Sequence, residues 1–448
     1  MEGSITFAWI CIGLILLVGA AVLVRRGAAV ALGVTVVLAF AFPTWLQVPI
    51  FGAQMPIRTV VALAGLLAFT LRDPRQLISP LTLLDVLIAS MVGVHFASDV
   101  FHGWDAVSAG FMSYGEWAVP YVAGRYALRS AGFLESLAMC VCGVLVILGI
   151  GGILETLSGI NPWEAIFGER PVDGFNREAS RFGFKRAFGP TMHPIYFGLL
   201  ILVLTPWSIA LLPWARTRLQ QTFAVASTVA SLGMFATLSR GPAIAWATMV
   251  IGLGAIWVRW YRWVLGAVTA AIVIWISLNF SSFVTMLDQM AGEKSRVTKI
   301  SLDGERVELS SFRHRIVLLQ VFWPAMKDAG LLGYGSNAMK SLPPDVPHLP
   351  ADETARKSLK YVDNAFVFYV LRFGWLGATI FTLLIAGATY TAIRLSWDRS
   401  IGILTGATAS MLVSMALALV TVWFSYDFGF ELLWMYGILA GLASYDSK

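Results

Sequence analysis

Residues 5–24 read ITFAWICIGLILLVGAAVLV, from Ile5 to Val24, without one charged side chain. At about 1.5 Å per residue, a helix of that length covers about 30 Å, the hydrocarbon thickness of a bilayer. The run lies too close to Met1 to leave room for a basic leader, and no small-residue cleavage site follows it. The expectation is therefore a retained membrane helix and not a signal peptide.

Working outward, further apolar windows fall near 28–46, 57–71, 82–99, 106–124 and 131–154. After a break they resume near 192–213, 221–238, 243–258, 261–280, 365–393, 401–424 and 428–444. Hydrophobic residues make up 58% of the chain and charged residues 13%, with a mean hydropathy of +0.74, which excludes an ordinary soluble domain. The reading is all-α: a polytopic integral membrane protein with about 12–13 transmembrane helices, forming a single membrane domain over 1–448. No repeat of 20–50 residues interrupts it.

Arginines set the orientation. Arg25-Arg26, Arg72 with Arg75, Arg125 with Arg129, Arg216 with Arg218, Arg259 with Arg262 and Arg394 with Arg399 occupy alternate short connections. The positive-inside rule makes those connections cytoplasmic, with the N-terminus outside and Lys448 inside. Two longer segments, 155–191 and 281–362, then become extracytoplasmic loops. The larger contains Pro343-Pro344, Pro347 and Pro350 and an apolar stretch within 312–326, which predicts an irregular segment and a short membrane-apposed helix. The net charge of +6 is mostly cytoplasmic anchoring, so no nucleic-acid partner is implied. Cys140 and Cys142 are two apart in a predicted helix and point apart, so no disulfide is expected.

The candidate chemistry lies at the outer ends of the windows. Ser239-Arg240-Gly241-Pro242 puts an arginine beside the electropositive start of a helix, with Pro242 suited to its first turn. Two positive sources favour an anionic guest such as phosphate or pyrophosphate between them; the plainer alternative is an interfacial arginine reaching lipid headgroups. Arg315 follows the potential caps Ser310-Ser311 and shares a helical face with Leu319 and Phe322, whereas Arg313 points roughly 160° away. Gly333-Tyr334-Gly335 is a turn whose amides could line an anion, or only a turn. Asp363-Asn364 precedes the apolar run from Ala365, where either residue could cap a helix and Asp363 could act as a general base. His193-Pro194 opens another helix after Lys185-Arg186, and Glu116 is an ionisable group within a predicted span, with Arg125 or a cation from a neighbouring helix as its partner.

Taken together, these residues resemble the O-antigen ligase and O-antigen polymerase superfamily of bacterial envelope glycan enzymes. Ser239-Arg240-Gly241 is similar to that family's Ser-Arg-Gly motif, and Arg315, 18 residues before Gly333, to its loop arginine ahead of a Gly-x-Gly turn. Asp363-Asn364 followed by Phe373-Gly374-Trp375-Leu376-Gly377 resembles its His-Asn motif and Gly-aliphatic-Gly helix, with aspartate where the ligases carry histidine. Arg186-Ala187-Phe188-Gly189-Pro190-Thr191-Met192-His193-Pro194 is similar to a segment of the Wzy-type exopolysaccharide polymerases.

The resemblance implies a metal-independent glycosyltransferase without cofactor in the bacterial inner membrane, acting at its outer face. Its donor would be an undecaprenyl-pyrophosphate-linked glycan, its acceptor a glycan or lipid-linked unit, and its surroundings membrane lipid, with a chain-length regulator protein as a candidate partner. Arg240, Arg315, Arg313, His193, Asn364, Gly333 and Gly335 would bind substrate, and Asp363, Arg315 and Arg240 would carry catalysis. Aspartate at 363 leans the reading toward polymerisation of O-antigen or exopolysaccharide repeat units. Ligation to lipid A core, as in lipopolysaccharide assembly, is the nearest alternative, and a flippase or transporter without catalysis ranks third because the notable charges cluster at one face.

Overall fold

The computed structural model describes the chain except residues 1, 51–52, 128–132, 172–179, 280–297, 303–304, 310–312, 351–352, 354–355, 357–358, 399 and 447–448. Helices dominate because the apolar windows can satisfy their backbone groups internally only as helices. In chain order they are α1 (Glu2–Arg26), α2 (Ala28–Ala39), α3 (Ile57–Arg72), α4 (Leu83–Phe101), α5 (Ala106–Ser113), α6 (Val119–Ala127) and α7 (Leu134–Ser158). There follow α8 (Pro162–Phe167), α9 (Pro194–Trp214), α10 (Arg218–Ser231), α11 (Arg240–Trp257) and α12 (Arg259–Leu278). The last group is α13 (Arg313–Asp328), α14 (Gly335–Lys340), α15 (Ala365–Leu395), α16 (Gly402–Leu419) and α17 (Tyr426–Asp446).

Every apolar window read from the sequence overlaps at least one of these helices, window 28–46 only over the 12 residues of α2, and among the described residues six helices are by themselves long and apolar enough to cross a bilayer. The chain is a polytopic α-helical membrane protein. Window 106–124 is not one straight helix: α5 passes through a π-helical turn, Tyr114–Ala118, into α6. Strand pairing among the described residues is limited to three short antiparallel hairpins, β1 (Gln47–Ile50) with β2 (Ala53–Pro56), β3 (Ser180–Arg181) with β4 (Phe184–Lys185), and β5 (Thr298–Leu302) with β6 (Glu305–Leu309). The expected helix within 312–326 is present as α13, whose Val317, Leu318, Val321 and Phe322 are buried while Leu319 is exposed.

Helix α9 is apolar on all sides and buried along nearly its whole length, packed among α7, α10, α16 and α17. Helices α6 and α17 approach closely because Gly437 and Gly441, four apart on one face of α17, lie against the backbone of Tyr121 and Arg125.

Helix α15 departs from a straight span entering at Ala365. Gly374 has φ 69° and ψ −172°, a conformation outside the helical region. The ring of Phe366 lies 5.9 Å from that of Phe381, and Tyr369 lies 4.3 Å from Phe381. In one straight helix those pairs would be separated by about 22 and about 18 Å. The two limbs, 365–373 and 375–395, therefore fold back on each other as a hairpin whose tip is Gly374. The second limb runs antiparallel to α4, with Gly377 near Val94 and Gly387 near Leu87. The first limb runs the other way, so its positive end and Asp363-Asn364 lie away from the tip.

Candidate active site

Two sets of charged side chains organise the region the motifs mark. The first gathers at the start of α11. Leu238 adopts a left-handed conformation, φ 49°, that ends the preceding 3-10 turn, Leu232–Thr237, and sends the chain into Ser239 and Arg240. Arg186 donates from Nε to the Thr237 carbonyl at 3.1 Å and from Nη2 to Ser239 Oγ at 2.7 Å. Arg181 donates to the Leu238 carbonyl at 2.7 Å. Arg240, exposed as the first residue of α11, is close enough to Arg181 to repel it.

Among the described residues, the hydrogen-bond acceptors of Arg181 and Arg186 are all neutral, so the cations are held without being neutralised. Burial, with repulsion from Arg181, pulls the Arg186 guanidinium down to about 10, still charged at neutral pH. Burial and Arg240 lower Arg181 in the same direction. An anion would relieve each of these costs.

The segment from Arg186 to His193 is pinned by two carboxylates. Glu155, fully buried in α7, accepts from the backbone amides of Phe188 at 3.0 Å and Gly189 at 2.8 Å and from Asn161 Nδ2 at 3.0 Å. Asp427 accepts from the Met192 amide at 3.1 Å and from the Thr44 hydroxyl. Between them His193 caps α9, its Nδ1 accepting from the Ile195 amide at 3.2 Å. Burial, then repulsion from Arg186 and Arg170, pushes the His193 imidazole down to about 3, so it is neutral at neutral pH.

Tyr196, one turn into α9, lies 5.3 Å from the His193 ring, and the carboxylates nearest in effect to its hydroxyl are Asp363 and Asp427. Asp363 is half-buried. Asn364, not Asp363, is the helix cap: its Oδ1 accepts from the amides of Phe366 at 3.0 Å and Val367 at 3.1 Å. This answers a question the sequence leaves open and frees Asp363 from capping α15. Arg313 and Arg315 begin α13, but their side chains lie outside the described residues.

The Gly333-Tyr334-Gly335 turn meets the tip of the α15 hairpin. The Tyr334 amide donates to the Leu371 carbonyl at 2.7 Å, and the Trp375 amide to the Gly330 carbonyl at 3.0 Å. A Cβ on Gly333, at φ 70°, would lie 2.5 Å from the Arg372 carbonyl carbon, and one on Gly374 would strike the backbone of Leu331. The described contacts of Gly333 are thus to protein backbone; those of Gly335 are to the His102 ring.

Beside this junction lies the second charged set. Arg372 forms a two-pronged pair with Glu116, at 2.9 and 2.8 Å, and donates to Ser336 Oγ at 3.0 Å. Arg372 Nη2 and His95 Nε2 are 3.2 Å apart, and His95 Nε2 lies 3.1 Å from Asp99 Oδ2. Asp99 in turn accepts from the Ser336 amide at 2.9 Å and hydroxyl at 3.0 Å. The partner of Glu116 is thus Arg372 and not Arg125, which pairs with Asp85 at 2.6 Å. Sequence reading missed Arg372, although the rule that marks Glu116 as an ionisable group within a span also marks Arg372, within window 365–393. Arg181 had no such signal, and Arg186 was visible as half of a basic pair and as the first residue of the segment that resembles the exopolysaccharide polymerases, without a role of its own.

The comparison with known families bears on the segment that supplies most of these residues. Residues 224–382 match the O-antigen ligase family model. The resemblance to the O-antigen ligase and polymerase superfamily therefore holds over a stretch from α10 into the second limb of α15. The matched stretch contains Arg240, Arg315, Gly333, Gly335, Asp363, Asn364 and Arg372, whereas Arg181, Arg186, His193 and Glu116 come from the chain before it. No curated protein matches the chain.

Proposed function

We propose that the protein polymerises lipid-linked oligosaccharide repeat units at the outer face of the bacterial inner membrane. The observation that carries the reading is the convergence of Arg181, Arg186 and Arg240 on the start of α11 without neutralising acids on Arg181 and Arg186. Asp363 acts electrostatically on Tyr196, whose ring lies 5.3 Å from that of His193, and His193 in turn feels the charge of Arg186. A pyrophosphate has the charge and the several acceptor oxygens that such a cluster and a helix start would hold.

In the proposed step, the bond between the anomeric carbon of the donor glycan and the undecaprenyl pyrophosphate oxygen breaks, and its electron pair leaves on the pyrophosphate. The acceptor hydroxyl oxygen forms the new bond to that carbon while its proton passes to Asp363. The arginines stabilise the charge on the leaving group, with Arg315 added on the strength of the family resemblance. His193, neutral and committed to capping through Nδ1, orients the segment without supplying charge.

The second reading, ligation of finished glycan to lipid A core or another acceptor, is favoured by the description of the matched family. Resolving the lipid-linked glycans of a deletion strain by length separates the two. Accumulated single repeats without polymer support polymerisation; full-length lipid-linked polymer that never reaches its acceptor supports ligation and sinks the first reading.

A further inference from the structure

A cavity of about 400 Å³ lies between α3, the α5–α6 junction, the first limb of α15 and the start of α17. Its walls are largely aromatic, from Phe111, Trp423, Phe424 and Tyr426, and its polar edge is the Glu116–Arg372 pair. The side chains of those two are 22% and 10% exposed, so a pair otherwise buried in protein shows one edge to this space. Glu116 reaches it from the π-helical turn Tyr114–Ala118, a distortion that re-aims side chains and recurs at functional sites.

From these features we infer that the cavity is the subsite for a sugar unit of the acceptor, an inference that rests on the glycan-transfer reading above. The charges cancel within the pair, so the cavity offers no surplus cation for a phosphate. What it offers is a carboxylate with lone pairs to spare, guanidinium edges, the Thr59 and Ser425 hydroxyls, and flat apolar rings. Hydroxyls around the rim of a pyranose and C–H groups on its faces match that combination, and the volume lies in the range of ligand pockets. Position agrees. Trp423 lines the cavity and lies 5.5 Å from Phe368 and 6.5 Å from Tyr361, two residues before Asp363. Asp363 then stands between an acceptor held on the Trp423 side and a donor pyrophosphate held on the Tyr196 and arginine side.

Gly115 lines the cavity, and a Cβ there meets nothing within 4 Å. Gly115→Leu therefore fills the space without disturbing backbone. Gly110→Leu, equally unobstructed and outside the cavity lining, is the matched control. The assay uses purified protein, the lipid-linked glycan as donor and, as acceptor, a lipid-free repeat oligosaccharide tagged at its reducing end, which lacks the diphosphate needed to be a donor. Gly115→Leu should raise the acceptor KM at least tenfold and leave the donor KM within twofold, with Gly110→Leu at wild-type values. An unchanged acceptor KM overturns the inference and leaves the transfer reading standing. A rise in donor KM alone also overturns it, by giving the cavity to the donor's hydrocarbon chain. Wild-type protein that transfers no glycan overturns both.

Discussion

Replacing Arg372 by methionine keeps most of the side chain's length and removes its charge. In the folded protein the guanidinium satisfies both Glu116 carboxylate oxygens and the Ser336 hydroxyl and abuts His95, within a cluster whose His95 and Asp99 are fully buried. Removing one partner of a buried ion pair leaves an uncompensated charge and costs about 3–5 kcal/mol. The hydrogen bond to Ser336 belongs to the same network, so its loss is already included and is not added on top. Against a typical stability of about 5–15 kcal/mol, that is a large fraction. The assay is equilibrium unfolding of the detergent-purified protein, comparing Arg372→Met, Glu116→Gln and the double variant. The single Arg372→Met variant should lose about 3–5 kcal/mol, and the double should recover at least half of it, because a neutral amide at 116 no longer strands a charge. A single variant within about 1 kcal/mol of wild type, or a double no better than the single, would refute the view that this pair binds the α15 hairpin to the α5–α6 turn.

Four other outcomes follow from the same geometry. Gly374→Ala should abolish folded membrane protein, since its Cβ would strike the Leu331 backbone and φ is 69°, whereas Gly93→Ala, with open space around it, should express normally; the amount of monodisperse protein after extraction decides. Asn364→Ala should cost about 1 kcal/mol of unfolding free energy through loss of the cap, while Asp363→Asn should lower turnover at least a hundredfold, as read by single-turnover transfer. Arg240→Ala and Arg186→Ala should each remove polymer from the glycan profile at unchanged protein level; a normal ladder would dismiss the pyrophosphate clamp. His193, held near 3 in the fold against an ordinary value of 6.5, leaves the unfolded state binding more protons between those values. Its contribution to stability is thus complete above about 6.5 and declines as pH falls toward 3, and His193→Asn, which can still cap α9, should flatten that part of the stability profile.

Much of this architecture is local in origin and was therefore legible. An apolar run of about 20 residues can meet its backbone hydrogen-bonding needs in lipid only by coiling, so each window from Ile5 onward became helix wherever its neighbours lay. The motif residues Arg240, His193 and Asn364 were likewise readable, because caps and helix starts depend on a few consecutive residues. The sequence alone also determined that Arg240 would stand at an electropositive helix start.

The tertiary structure decided the rest. Ala365–Leu395 reads as a single apolar span, and nothing in its periodicity encodes the positive φ at Gly374 that folds it back; there the backbone of Leu331 and Leu332 fills the space a Cβ would need. Glu116 and Arg372 are 256 positions apart, as Met192 and Asp427 are 235 apart, so which charge meets which depends on long-range packing. The same holds for Arg181 and Arg186, which reach the start of α11 only because Glu155 and Asp427 pin the segment between them and α9. Local chemistry chose helices and their ends, and the low dielectric of the packed interior, where an unpaired charge is so costly, chose the partners.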